Sequence, residues 1–328
     1  MRALRRLVCC ASLLMAMPLW ADTPPPESTL EEVLVTGQRP GPGMWRVSKA
    51  DHDLWILATL EPLPKEMIWR STIVEARIAK SQVVLAPPDV SADIGFFRAL
   101  TLVPALLRAR KSPEGETLEQ SLPHDLYIRW LALRVKYLGS HAYERLRPAV
   151  AAFELYSHAM DQSGLTSDDA VWKVVEKTAR KSRVPITPIT LNVPMGDAKD
   201  SIRALSQVDH SAEIACLAKT IERLETDLPR MRQRANLWSL GDVAGLRALP
   251  YPDEETACFN AILSVPQLRN RLEQVRLQLT EAWLAAAEHA IETNESSFAV
   301  VPIKALLAAD GLLDRLRLQR YEVREPER

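Results

Sequence analysis

The sequence is poor in the residues from which common catalytic motifs are built. Only 11 of its 328 residues are glycine and only six are histidine. It contains neither a G-x-G-x-x-G nor a Walker loop, which excludes the usual glycine-rich phosphate sites. G-x-S-x-G and H-E-x-x-H are also missing, so the nucleophile elbow and the zincin site are excluded as well. No two histidines stand three or four residues apart.

The sequence also lacks an excess of basic side chains. Without the first 21 residues, which hold three arginines and no acid, 38 Lys and Arg stand against 42 Asp and Glu. A charge balance this close to zero offers no electrostatic footprint for nucleic acid. We therefore predict that nucleic acid is not a partner.

The N-terminus carries the pattern of a secretory signal peptide. Arg2, Arg5 and Arg6 precede the apolar stretch LVCCASLLMAMPLW, and Ala21 is the predicted end of this segment. Fourteen residues are too few to span a bilayer, and no later segment reaches eighteen apolar residues. We predict a signal peptide at residues 1–21 and a periplasmic or secreted mature protein that does not span a membrane.

Cysteine is scarce once the signal segment is set aside, since only Cys216 and Cys258 remain. Two cysteines in an exported protein usually pair, so we predict a disulfide between them. The alternative is a pair of buried free thiols. Neither cysteine has a His or Cys at a ligand spacing, so the pair does not predict a metal site.

The spacing of apolar residues predicts an α/β fold: a mixed, partly parallel central sheet surrounded by many helices. Residues 22–43, with five prolines and three glycines, predict a flexible lead-in to a single domain over 44–325. A β-hairpin is predicted at 44–60 and a helix-rich middle at about 93–182 and 209–294. Further strands are predicted at 83–87, 184–194, 297–303 and 321–325, and further helices at 70–81 and 304–319. The last strand, helix and strand predict a crossover, hence parallel strands.

Ligands of open α/β sheets bind at the carboxyl ends of strands, and two predicted strand ends carry a titratable residue. Glu61 lies in TLEPLP and Lys304 in VPIKALL. The two side chains would serve for proton transfer, or alternatively form a structural ion pair. Trp45, Trp55 and Trp69 lie near the strand ends in sequence, where they would either stack on sugar rings or form the core of the hairpin.

The same stretches resemble the motifs of a known family. ATLEPLP at 58–64 is similar to G-T-x-H-x-L-P. FAVVPIKALLAADGLLDRLRLQRYEV at 298–323 is similar to F-x-x-V-G-x-x-H-L-x-G-x-D-G-L followed by a helix and a G-Y-x-V strand. On these motifs the chain resembles the TraB/GumN family, the bacterial relatives of the Tiki membrane proteases, over about 44–325. The resemblance implies a site at the two strand ends, where members hold a metal with two histidines.

The chain departs from the family pattern at the positions that would bind the metal. The histidines align with Glu61 and Ala305, and the glycines beside them with Ala58 and Pro302. Acidic residues that often follow the next strands align with two further positions, Ala86 and Thr190. A catalytic zinc takes three protein ligands, and this set offers only the carboxylate of Glu61. The resemblance therefore implies a degenerate metal site without a cofactor.

Two functions remain open at this point. The first is a non-catalytic periplasmic binding or scaffold protein whose partner is a protein or a glycan. A link to cell-surface polysaccharide rests only on association with the family's name. The alternative is a hydrolase of altered chemistry in which Glu61 is the general base, with Lys304 or a carboxylate of the helical middle as its partner.

Overall fold

The computed structural model describes residues 41–92, 96–167, 169–193, 202–204, 207–249, 254–308 and 310–326. Residues 38–328 gather into one compact unit. The predicted signal peptide at 1–21 and the lead-in up to residue 40 lie outside the described residues. Within the described part of the chain, no helix combines the length and the apolar character needed to cross a bilayer.

A six-stranded mixed sheet forms the centre of the fold, as predicted. The strands of the described residues are β1 Met44–Lys49, β2 His52–Thr59, β3 Leu63–Pro64, β4 Val83–Leu85, β5 Asp89–Ala92, β6 Leu165–Thr166, β7 Ile186–Thr187, β8 Thr190–Val193, β9 Ser296–Pro302 and β10 Glu322–Arg324. The sheet has the order β10-β1-β2-β9-β4-β7, and two smaller sheets pair β3 with β6 and β5 with β8. β1 and β2 form the predicted antiparallel hairpin, whereas β2, β9, β4 and β7 run parallel.

The residue pattern of β9 explains its central place in the sheet. Ser297 to Val301 are all buried, on both faces of the strand. Such continuous apolar runs are typical of parallel strands that are covered on both sides. β10 lies at the sheet edge, antiparallel to β1, so it runs parallel to β9 with the hairpin between them. The prediction of a crossover at the C-terminus is therefore confirmed.

Helices cover the sheet and fill the middle of the chain. They are α1 Thr72–Lys80, α2 Phe96–Ala109, α3 Leu118–Ser121, α4 His124–Tyr137, α5 Pro148–Gln162, α6 Ala170–Ser182, α7 His210–Thr226, α8 Leu228–Leu240, α9 Val243–Ala248, α10 Glu254–Leu263, α11 Pro266–Thr293, α12 Ile303–Leu307 and α13 Leu312–Leu318. One apolar core lies between the sheet and its flanking helices. A second core joins α4, α5, α7 and α10.

Two predicted elements are divided in the structure. The strand predicted at 184–194 becomes β7 and β8, which belong to different sheets and are separated by Pro188. Proline has no N–H for a ladder bond, which explains the break. The helix predicted at 304–319 becomes α12 and α13, with Asp310 at a φ of 55° between them. At Gly311 a Cβ would lie 2.6 Å from the carbonyl oxygen of Ala308, so only glycine fits this turn.

The predicted disulfide is present. Cys216 in α7 is bonded to Cys258 in α10, with Cα atoms 4.4 Å apart. The bond crosslinks two helices of the second core. Closing a loop of this length contributes about 4 kcal/mol in the chain-entropy account.

Candidate functional site

The carboxyl ends of β2, β4 and β9 meet at one edge of the sheet, because these strands are parallel neighbours. A cavity of about 370 Å³ opens there, which we call the strand-end cavity. This is the edge at which open α/β sheets bind their ligands. Its lining consists of Thr59, Leu60, Glu61, Leu63, Ala86, Pro87, Pro88, Asp89, Asp169, Val171, Trp172, Thr190 and Pro302.

Four of the six positions that the resemblance assigned to a metal site line the strand-end cavity. Glu61 follows β2, Ala86 follows β4, Thr190 begins β8 and Pro302 ends β9. They lie far apart in sequence, and the parallel strand ends bring them together. The four residues contribute a single carboxylate, that of Glu61, so the set is poor in metal donors.

The other two predicted positions do not line the cavity. Ala58 is buried inside β2, and its carbonyl oxygen accepts a hydrogen bond of 2.7 Å from Nε1 of Trp238. Ala305 is half-buried in α12 and packs against the sheet core. Neither side chain offers a polar atom to a ligand.

Lys304 does not join Glu61 in this cavity. It is exposed in α12 and is absent from the lining, whereas its neighbour Pro302 is present. The geometry therefore does not favour the hydrolase in which these two residues share a proton.

Two carboxylates and one indole of the lining were not predicted as site residues: Asp89, Asp169 and Trp172. Asp169 stands at the N-cap of α6, but its side chain makes no capping hydrogen bond. Asp89 follows Pro87-Pro88 directly after β4, so the rule that sites lie at strand ends was a signal that pointed to it.

The charged residues in the described lining of the strand-end cavity are all acidic. Glu61, Asp89 and Asp169 line it, and no Lys, Arg or His is among the described residues of the lining. These carboxylates nevertheless do not make a metal centre, because no three His, Cys, Asp or Glu in the described ranges are placed to hold one ion. The cavity is instead rich in hydrogen-bond acceptors beside one indole ring.

The three tryptophans near the strand ends in sequence lie elsewhere. Trp45 is buried in the sheet core, which agrees with the alternative that these tryptophans form the core of the hairpin. Trp55 is covered by the guanidinium of Arg77, 3.8 Å from the ring centre. Trp69 packs edge-on against Trp238 with ring centres 5.7 Å apart. None of the three lines the strand-end cavity.

A second, larger cavity is lined by Glu61 and Pro62 and by residues of helices α2, α5, α7 and α10. We call it the helical cavity; its volume is about 690 Å³. Its lining includes the buried ion pair of Arg147 with Glu213, whose Nε and Oε1 atoms are 2.8 Å apart. Burial raises the pKa of the Glu213 carboxyl, although the hydrogen bond and charge of Arg147 work against that rise.

Comparison with known proteins assigns the class. The model of the TraB/PrgY/gumN family matches residues 43–325, most of the chain. The chain belongs to the TraB/PrgY/gumN family, so the resemblance seen in its motifs is confirmed. No curated protein matches the sequence, and no solved structure matches the fold.

Proposed function

We propose that this chain is an exported, non-catalytic member of its family that binds a neutral carbohydrate in the strand-end cavity. The observation that carries the proposal is the set of side chains in the lining. Where the family resemblance expects metal ligands, the cavity presents Glu61, Ala86 and Thr190. These residues offer one carboxylate, whereas a catalytic zinc takes three protein ligands.

The chemistry of the lining suits a sugar. The carboxylates of Glu61, Asp89 and Asp169 are acceptors for hydroxyl donors, and such charge-assisted hydrogen bonds are strong. The half-buried indole of Trp172 offers a flat apolar face on which a sugar ring can stack. About 370 Å³ corresponds to roughly a dozen water-sized volumes, which is the heavy-atom count of one hexose.

The charge of the cavity restricts the sugar. The charged side chains that an acidic sugar would meet in the described lining are carboxylates. Like charges at close range in a partly desolvated site disfavour binding. Neutral hexoses are therefore the expected ligands.

Export rests on two observations. The N-terminal residues have the pattern of a signal peptide. The Cys216–Cys258 disulfide is of the kind that persists in oxidising compartments. We therefore assign the mature chain to the periplasm or the medium.

We do not extend the proposal to hydrolysis. Lys304, the partner that strand-end reasoning offered for Glu61, is outside the cavity lining. If hydrolysis of any glycoside or peptide were detected, loss of that activity in Glu61→Gln would identify Glu61 as the base and would contradict the non-catalytic reading.

Titration of the mature protein with methyl glucoside, methyl galactoside and methyl mannoside tests the proposal. Calorimetry and tryptophan fluorescence should detect binding of at least one of them. Trp172→Leu should weaken it about tenfold, or 1.4 kcal/mol. Trp55→Leu is the matched control, because Trp55 is also half-buried but does not line the cavity, and it should leave affinity unchanged.

Chelation separates this proposal from a metal-dependent site. Binding should persist in EDTA, and elemental analysis of the purified protein should find no stoichiometric zinc or manganese. Bound metal together with loss of binding on chelation would contradict the proposal. So would failure of all three methyl hexosides to bind.

A further inference from the structure

The helical cavity is an apolar space of a size that small ligands occupy. Its volume of about 690 Å³ lies within the range of ligand pockets and corresponds to roughly twenty heavy atoms. Most of its wall is aliphatic or aromatic, with Val150 and Phe153 of α5 and Ile262 of α10 among the lining residues. Apolar cavities of this kind exclude water and accept apolar guests.

Covalent and ionic links across its walls make this cavity pre-formed. The Cys216–Cys258 disulfide joins α7 to α10, and both cysteines line the space. The ion pair of Arg147 with Glu213 joins the start of α5 to α7. Walls that are held in place before binding reduce the entropy cost of binding a ligand.

The three arginines in the described lining of the helical cavity are each paired with a carboxylate. Arg147 is paired with Glu213, Arg110 with Glu154, and Arg223 with Asp227, which lies outside the lining. A charged ligand group would have to compete with these pairs. The interior therefore suits an uncharged guest.

The two cavities are adjacent, since Glu61 lines both. The polar cavity at the strand ends and the apolar cavity among the helices thus share the carboxylate of Glu61 in their walls. We infer that the helical cavity binds the alkyl chain of a neutral single-chain amphiphile, whose sugar head group occupies the strand-end cavity. The placement of the head group depends on the proposed function, whereas the placement of the alkyl chain depends on the helical cavity alone.

Apolar side chains at the rim provide a route of entry. Phe153 is 70 % exposed and Leu106 is 46 % exposed, and both line the cavity. Exposed large apolar groups of this kind mark interaction sites when they adjoin a pocket. These two side chains give an alkyl chain apolar contacts where the cavity wall meets solvent.

A series of alkyl glucosides tests the inference. Affinity of the mature protein should rise with chain length from methyl through hexyl to octyl glucoside, approaching fourfold per added methylene. All measurements are made below the micelle concentration, by calorimetry. A flat dependence on chain length would overturn the inference.

A matched pair of variants tests whether the alkyl chain of the ligand lies in the helical cavity. Val150→Trp fills the helical cavity and should abolish the gain from chain length. Val135→Trp makes the same change at an exposed position of α4 outside the cavity, and should keep the gain. If Val150→Trp fails to fold, as judged by circular dichroism, Ala149→Phe in the same wall replaces it. Equal behaviour of the blocking variant and Val135→Trp would overturn the inference.

Alkanols of the same chain lengths separate the two proposals. One outcome is that the affinity of alkanols rises from hexanol to octanol, that this rise is lost in the blocking variant, and that glucosides bind no tighter than the alkanols. This outcome would support alkyl-chain binding in the helical cavity and contradict the carbohydrate proposal. If methyl glucoside binds but neither series gains with length, the carbohydrate proposal holds and the alkyl-chain inference fails.

Head-group placement has its own control. Glu61→Gln should weaken octyl glucoside more than octanol, since only the sugar reaches the strand-end cavity. Glu66→Gln removes the same charge from an exposed residue that lines neither cavity, and should change neither ligand. Equal loss of glucoside and alkanol in Glu61→Gln would overturn the placement of the head group.

Discussion

The ion pair of Arg147 with Glu213 gives the sharpest test of how the helical half is held together. Arg147 is 5 % exposed and Glu213 is 3 % exposed. Nε of Arg147 lies 2.8 Å from Oε1 of Glu213, and Nη2 of Arg147 donates to the carbonyl oxygen of Val208 at 3.2 Å. The perturbation is Arg147→Met, which keeps much of the side-chain volume and removes the charge.

The expected loss follows from desolvation. Removing one partner of a buried pair leaves the other charge without compensation, which costs about 3–5 kcal/mol. At about 2 °C per kcal/mol for a chain of this size, the melting temperature should fall by roughly 6–10 °C. Replacing both partners, as in Arg147→Met with Glu213→Leu, removes the stranded charge. That double variant should recover most of the loss, apart from about 1 kcal/mol for the Val208 carbonyl.

The loss should depend on pH with a defined sign. Burial already raises the pKa of the Glu213 carboxyl, and Arg147 opposes that rise. Arg147→Met removes the opposition, so the pKa of Glu213 in the folded state should rise further. A carboxyl with a higher pKa when folded stabilises the fold below its unfolded pKa of about 4.3 and loses this contribution as pH rises. The variant should therefore be less impaired at pH 5 than at pH 8, and protonated His210, 4.0 Å from Glu213, should reduce this difference.

Urea unfolding followed by circular dichroism, together with thermal melts at both pH values, measures these free energies. A loss under 1 kcal/mol in Arg147→Met would refute the reasoning. So would a double variant whose loss equals the sum of the two single losses, because the cycle would then show no coupling between the residues.

Two further predictions concern the covalent and hydrogen-bonded links of the fold. Replacing Cys216 and Cys258 together by alanine should cost about 4 kcal/mol in unfolding free energy, and added reductant should then have no effect on stability, in contrast to the parent protein. Equal sensitivity to reductant in both proteins would contradict this. Trp238→Phe should cost about 1–3 kcal/mol in urea unfolding, because the buried carbonyl of Ala58 loses its 2.7 Å donor; an unchanged unfolding midpoint would refute it.

Much of the local structure follows from the order of apolar and polar residues within short segments of the sequence. The apolar pattern over 44–60 predicted a β-hairpin, and β1 and β2 form it. Asp209 is of a residue type favoured at helix N-caps, and its side chain accepts a hydrogen bond from the backbone N–H of Ala212 at the start of α7. α11 Pro266–Thr293 lies within the helix-rich stretch predicted at about 209–294. Such elements depend on neighbours a few residues away, which the sequence displays directly.

The candidate site was predictable only in part. Glu61, Ala86, Thr190 and Pro302 could be found because strand ends and family motifs point to them. Trp172 could not, since nothing in its helical surroundings distinguishes a residue that faces a cavity from one that faces solvent.

The sequence by itself determined the class of fold, the disulfide partners and the poverty of metal ligands at Glu61 and Ala305, because these follow from composition, periodicity and motif. Only the tertiary structure decided that Ala305 and Lys304 stay out of the cavity while Asp169 and Trp172 enter it. The physical reason is that a cavity is made by the packing of elements distant in the chain. Which side chains meet there depends on strand order and helix orientation, which local sequence does not specify.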